Sequence, residues 1–164
     1  MTMVSQADSP DPQTRVERPS NRELVVIRCF RAPVHLVYRA WADPALFRQW
    51  WVPRSYGMTL VSCEMDVRVG GTYRLEIGHV SMDRPMAFYG TYLEVERDRR
   101  IVWTNEESAD GAITTVTFAE RDGGTEVTIS NLFPSAEALE QELASSACDG
   151  TAESLHQLDE FLRT

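Results

Sequence analysis

The chain has 164 residues, enough for one domain with a sizeable core, and its 43% hydrophobic and 25% charged content is that of an ordinary globular protein. A formal net charge of −9 argues against a nucleic-acid-binding protein, which needs a basic face to meet phosphates. No apolar run approaches the length of a membrane span and the first residues lack the apolar segment of a signal peptide, so a soluble, cytoplasmic protein that engages neither nucleic acid nor membrane is expected.

Residues 1–21 are rich in Ser, Pro, Asp and Gln without hydrophobic periodicity and read as a disordered leader to a single domain over 22–164. "ELVVIRCF" (23–30) is apolar and β-branched enough for a strand. "PVHLVYRAWAD" (33–43) places Val34, Val37, Ala40 and Trp41 at helical spacing, with Pro33 at the start. A second short helix begins at Asp43-Pro44, the aspartate as N-cap and the proline at the first turn. Strand-like segments follow at 58–65, 72–78, 85–97, 101–106, 112–120 and 125–133, the last two joined by the hairpin signal Asp122-Gly123-Gly124. From Leu139 to Leu162 apolar residues recur at spacings of three and four, which predicts one long helix with Gly150 as a kink point. Its acids Glu137, Glu140, Glu142, Asp149, Glu153, Asp159 and Glu160 read as a solvated face.

An antiparallel sheet built from hairpins has one face to cover, and only the C-terminal helix is long enough to cover it. An α+β architecture of this kind predicts a space between sheet and helix wherever the inward side chains do not fill it.

The residue inventory excludes several chemistries. All sixteen basic residues are Arg, so a lysine Schiff base and a Walker-type phosphate loop are ruled out. Cys29, Cys63 and Cys148 show no Cys-x-x-Cys pairing and read as reduced thiols with a default packing role. His35, His79 and His156 form no ligand-spaced set with a carboxylate, so neither a metal nor another cofactor is expected. No Gly-x-Ser-x-Gly elbow is present, and Cys148 and His156 are two helical turns apart, so no catalytic set emerges.

The succession "RCFRAPVHLVYRAWADPALFRQWWVP", "DVRVGGTYRLEI", "FYGTYLEVERDRRIVWTNE" and "GGTEVTISNLF" resembles the START-related SRPBCC superfamily, and within it the branch named after the activator of Hsp-90 ATPase. The resemblance runs from Glu23 to Leu162. It implies the helix-grip fold, a curved antiparallel sheet wrapped around a long C-terminal helix, with a deep cavity between them. Across the superfamily such cavities serve hydrophobic-ligand binding, polyketide cyclisation and ring hydroxylation, and fold alone does not choose among these. Where such proteins often carry a Trp after the glycine of the last helix, this chain has Thr151, which would enlarge or re-shape the space.

Cavity-lining candidates follow from this frame. Trp41 shares a face with Val37 and is expected in the core. Trp50 and Trp51 point about a hundred degrees apart on a helix, so one packs beneath it while the other approaches the pocket mouth with Tyr56. Inward strand positions offer Tyr73, Phe88, Trp103 and Asn105, and the last helix offers Thr151, Leu155 and Leu158. The same residue types build cores, so filling and lining are both open at each position. Arg28, mid-strand among apolar neighbours, needs a partner if it faces inward, with Glu64 or Asp66 as candidates. The expected function is binding of a small hydrophobic ligand. The alternatives are a cyclase- or hydrolase-like enzyme using His79 with an acid or Tyr73 with Arg28, and an Hsp-90-interacting module. An exposed sheet edge would also permit a homodimer.

Overall fold

The computed structural model describes residues 14–109, 111–145 and 147–163. Eight strands form one antiparallel sheet in the order β1-β2-β8-β7-β6-β5-β4-β3. They are β1 (Thr14–Ser20), β2 (Glu23–Phe30), β3 (Met58–Met65), β4 (Thr72–His79), β5 (Met86–Glu96), β6 (Arg100–Thr104), β7 (Ile113–Arg121) and β8 (Gly124–Leu132). Between β2 and β3 lie α1 (Val34–Ala42), α2 (Pro44–Phe47) and a 3₁₀ turn at Arg54–Tyr56. Two helices, α3 (Ala136–Ala144) and α4 (Ala147–Leu162), close the chain. This is the helix-grip arrangement, with α1 packed on β7, β8 and α4.

The local reasons match the sequence signals over most of this length. Asp43 Oδ1 accepts the Ala45 N–H at 2.9 Å with Pro44 behind it, so the second helix begins where its cap and proline dictate. Asp122 and Gly123 both have positive φ, and Arg121 pairs with Gly124, which makes the β7–β8 connection a two-residue hairpin of the twist-compatible kind. Gly90 permits a close crossing. A Cβ there would sit 2.0 Å from Thr104 O and 2.9 Å from the Tyr73 ring, so β5 can pass over Tyr73 only without a side chain.

Three expectations are corrected. Residues 14–20 of the expected leader form β1, paired antiparallel with β2 from Thr14↔Arg28 to Ser20↔Glu23; residues 1–13 lie outside the described residues. Almost every β1 side chain is exposed, so the strand carries no hydrophobic alternation and is held by its ladder and by polar ties such as Arg18 to Glu140 at 2.9 Å. The single long C-terminal helix is two. The Ser145 N–H turns back to Glu142 O at the end of α3, and Gly150 lies inside α4 rather than at a break. Cys29 is exposed rather than packed, while Cys63 is half-buried and the side chain of Cys148 is outside the described residues.

The main core runs between sheet and helices through Val26, Phe30, Val37, Trp41, Trp50, Val116, Val127, Leu155 and Leu158. Trp50 is 1% exposed and donates its indole N–H to Ala40 O at 3.1 Å, so its polar atom is satisfied inside the core. Truncating a ring so placed costs about 3–5 kcal/mol. A smaller cluster of Leu24, Ala112, Phe133, Ala138 and Leu139 seats α3 at the other end of the sheet.

Candidate functional site: an aromatic chamber and its outer spaces

The cavity begins with the aromatic residues of α1, α2 and the segment after them. Trp41, buried on α1, meets Trp50 edge-on with ring centroids 4.8 Å apart and meets Trp51 edge-on at 5.7 Å. Trp51 stacks on Phe47 at 4.7 Å and 27°. On the sheet side Tyr73, Tyr92 and Trp103 make a triangle with centroids 5.7 to 6.5 Å apart. The two groups touch through Trp41 and Trp103, whose ring centroids are 6.2 Å apart, and beside that contact an inner chamber of about 200 Å³ remains. Met65, Leu75, Ile77, Phe88, Ile101 and Asn105 complete its wall, so every residue around it is uncharged.

The polar atoms that Tyr73 and Asn105 bring to that wall are committed to the protein. Tyr73 Oη donates to Thr104 O at 2.7 Å, and Asn105 Nδ2 donates to Ala112 O at 2.7 Å and to Thr114 Oγ1 at 3.0 Å. Thr114 Oγ1 donates in turn to Asn131 Oδ1 at 2.7 Å, which carries the chain outward along the sheet. Burial pushes the Tyr73 and Tyr92 phenols far above their ordinary titration range, so both remain protonated. Among the described residues Trp41 Nε1 has no hydrogen-bond partner and lies wholly within the ring cluster.

Two further spaces adjoin the chamber. One, of about 290 Å³, lies between the Trp50–Met58 segment and α4 and is lined by Tyr56, Gly150, Thr151, Ser154 and Leu155. The other, of about 470 Å³, lies between the sheet and α3, bordered by Glu107, Asn131, Phe133, Gln141, Glu142 and Thr151. The outer space shares Phe88, Trp103 and Asn105 with the inner chamber. Burial, reinforced by the charge of Glu107, raises the Glu142 carboxyl above the usual carboxylate range. Glu142 is thereby a correction to the reading of the last helical acids as a solvated face.

Glu153 and Asp159 depart from that reading too. Glu153 accepts both the backbone N–H of Ser55, at 2.8 Å, and its hydroxyl, and this holds its carboxyl below the usual range. Asp159 pairs with buried Arg28 at 3.5 Å, and Arg28 also donates to Thr14 Oγ1 at 3.3 Å. The partner of Arg28 is therefore on α4 and not Glu64 or Asp66, because β2 turns this side chain toward the helix while those acids lie at the far edge of the sheet. Arg28 and Tyr73 thus engage different partners. His79 ends β4, bonded to Ser81 at 2.7 Å, and borders none of the three spaces. Neither proposed dyad assembles in the cavity.

The Trp50–Ser55 segment is tied to α4 by side chains of the helix. Gln157, 4% exposed, donates from Nε2 to Trp50 O and Val52 O, both at 2.8 Å, and accepts the Arg54 N–H at 2.9 Å. Ser154 donates its hydroxyl to Trp51 O at 2.5 Å. Each of these bonds satisfies a main-chain group that irregular backbone would otherwise leave bare.

The structure places Trp51, Tyr73, Phe88, Trp103 and Asn105 around the inner chamber. Tyr56, Thr151 and Leu155 lie around the neighbouring space, and Leu155 is only 1% exposed and belongs mainly to the core. Trp41 is both core and chamber wall. Sequence reasoning missed Phe47, Met65, Leu75, Ile77, Tyr92 and Ile101. Tyr92 was within reach, since it follows Phe88 and Gly90 on the same face of β5. Gln157 carried no signal, because a glutamine on a helix reads as solvent-facing.

Among the described residues no three His, Cys, Asp or Glu side chains converge as metal ligands, and no helix is long and apolar enough to cross a membrane.

An eight-stranded antiparallel sheet gripping a C-terminal helix over an aromatic cavity defines a START-like, SRPBCC-type domain. The chain belongs to the family described as activator of Hsp90 ATPase homolog 1-like protein, which matches residues 31–163. Solved structures with the same fold include a Rhodobacter sphaeroides protein, 22% identical with a TM-score of 0.84, over 92% of this chain and 97% of that one. Protein Ms6760 from Mycobacterium smegmatis is 27% identical with a TM-score of 0.78, over 92% and 97% of the two chains. Protein CV1439 from Chromobacterium violaceum is 30% identical with a TM-score of 0.68, over 84% and 95%. No curated protein matches the chain.

Proposed function

We propose that this protein binds a small, neutral, aromatic or otherwise hydrophobic molecule in the inner chamber between the sheet and the segment that runs from α1 through α2 to Trp51. The observation that carries the reading is the inner chamber itself, about 200 Å³ walled by rings and aliphatic side chains with no charge among them. A dry cavity of about 150 Å³ already accepts benzene, so this one suits a substituted single ring or an indole-sized molecule. An anion or cation would be stripped of water with no opposite charge to meet.

Binding is favoured over turnover by the state of the polar groups. Tyr73 and Asn105 spend their hydrogen bonds on the protein, and the buried tyrosines hold their protons too firmly to act as bases. Neither a cyclase- or hydrolase-like reaction nor contact with Hsp90 draws support from a comparable feature.

Native mass spectrometry of the freshly purified protein, repeated after denaturation, tests the reading. The expected result is a reproducible adduct of one- or two-ring mass that is lost on denaturing. A bare protein mass, together with no binding of p-cresol or indole by ligand-observed NMR, would overturn it.

A further inference from the structure

Among the described residues Trp51 alone borders all three spaces, and the inner chamber and the space beside α4 have no other lining residue in common. The ring therefore stands at the junction as a wall between them. We infer that Trp51 is the specificity-determining residue for ligand size, a partition whose position separates the one-ring chamber from the larger space beyond. The inference rests on the ligand-binding reading above.

The way Trp51 is held suits that role. Its main chain is fixed, with its N–H on Phe47 O at 3.2 Å and its carbonyl accepting from Ser154. The flanking Trp50 and Val52 carbonyls are fixed by Gln157. Its ring is held differently. Trp50 is 1% exposed and anchored through its indole N–H to Ala40 O, whereas Trp51 is only half-buried and its indole N–H donates no hydrogen bond among the described residues. What keeps the ring in place is the stack on Phe47 and edge contacts with Trp41 and Trp50. Such contacts can be exchanged for contacts with a ligand, since an incoming ring offers the same kind of surface. A rotation about the side-chain bonds would join the chamber to the space of about 290 Å³ beside α4 without moving any main-chain atom.

The two sides of the partition are alike in chemistry. Among the described residues the space beside α4, like the chamber, has no charged side chain on its wall, so the two joined would suit a wider neutral molecule than the chamber alone.

The test uses two neutral probes, p-cresol and the four-ring 1-hydroxypyrene, titrated into the wild type, Trp51→Ala and Trp51→Phe, with circular dichroism confirming folding. The expected result is that wild type takes p-cresol and binds 1-hydroxypyrene weakly. Trp51→Ala should gain at least tenfold for 1-hydroxypyrene and lose affinity for p-cresol, whose chamber is no longer closed. Trp51→Phe keeps an aromatic partner for Phe47 and should fall between them, and it carries the test if the alanine variant does not fold. Wild-type binding of p-cresol with unchanged 1-hydroxypyrene affinity in the folded variants would overturn the partition and leave the binding reading standing. Failure of wild type to bind either probe would overturn both.

Discussion

Replacing Gln157 by Leu tests how the aromatic segment is joined to the last helix. The substitution keeps a side chain of similar bulk but removes the donor to Trp50 O and Val52 O and the acceptor for the Arg54 N–H. Trp50 and Val52 are both buried, so their carbonyls have no ready access to water, while Arg54 is exposed and its N–H can be rehydrated. Two buried carbonyls left bare at about 1–2 kcal/mol each give a destabilisation of about 2–4 kcal/mol. For a domain of this size that corresponds to a fall in Tm of roughly 5–15 °C. Urea unfolding followed by tryptophan fluorescence reads it directly, because all four tryptophans lie in the core or around the chamber. The midpoint should fall with an unchanged m-value, as expected when the native state weakens and the unfolded state stays the same. A loss below about 0.5 kcal/mol would refute the reasoning, since it would mean that the two carbonyls find water without the glutamine.

Two other substitutions probe the charges that the last helices conceal. Asp159→Asn removes the carboxylate 3.5 Å from the Arg28 guanidinium, which is 3% exposed, and should cost about 3 kcal/mol by urea unfolding; a loss under about 1 kcal/mol would show that the pair contributes no more than a surface bridge. Glu142→Gln should raise Tm at pH 7.5 and leave it unchanged at pH 4. Burial and Glu107 raise the folded carboxyl above its unfolded value, so the stability linked to its proton is full below the unfolded value of about 4.3 and is lost as pH rises through the folded one. An equal gain at both pH values would sink that account.

The sequence made the fold legible wherever one face of an element is buried and the other wet. β4 and β8 alternate buried and open positions, and both stand within a residue of where the pattern puts them. β1 escaped because neither of its faces is covered: "TRVERPS" is placed by hydrogen bonds to β2, and hydrogen bonding leaves no trace in a hydrophobic pattern. The break between α3 and α4 escaped for the opposite reason. Leu139 and Leu143 belong with a small cluster at one end of the sheet while Leu155 and Leu158 belong with the main core, yet their spacing runs on as if a single stripe served both. The site was legible as residue types and not as space. Tyr73, Phe88 and Trp103 face inward as alternation requires, but whether inward rings touch or leave a chamber depends on distances of an ångström or two across the molecule. Long-range partners were the least visible, as with Arg28 and Asp159 or Gln157 and the carbonyls of a segment more than a hundred residues away.

The exposed strand at the start of the described chain has a consequence for the edge of the sheet that it covers. β2 carries the sequence "ELVVIRCF", a run of buried apolar residues that pairs with β8 on one side and with β1 on the other. Bare of β1, it would present open N–H and C=O groups along one of the most hydrophobic stretches in the chain, a template for pairing with any extended segment that came near. β1 occupies that template with charged and polar residues, and Pro19 lies within the stretch where its register with β2 slips. A proline withholds one N–H from the ladder and charges repel stacking, so this edge of the sheet is one on which a further strand gains little. The strand that adds least to the core is thus the one that keeps the sheet from growing on the β2 side, at the edge opposite β3.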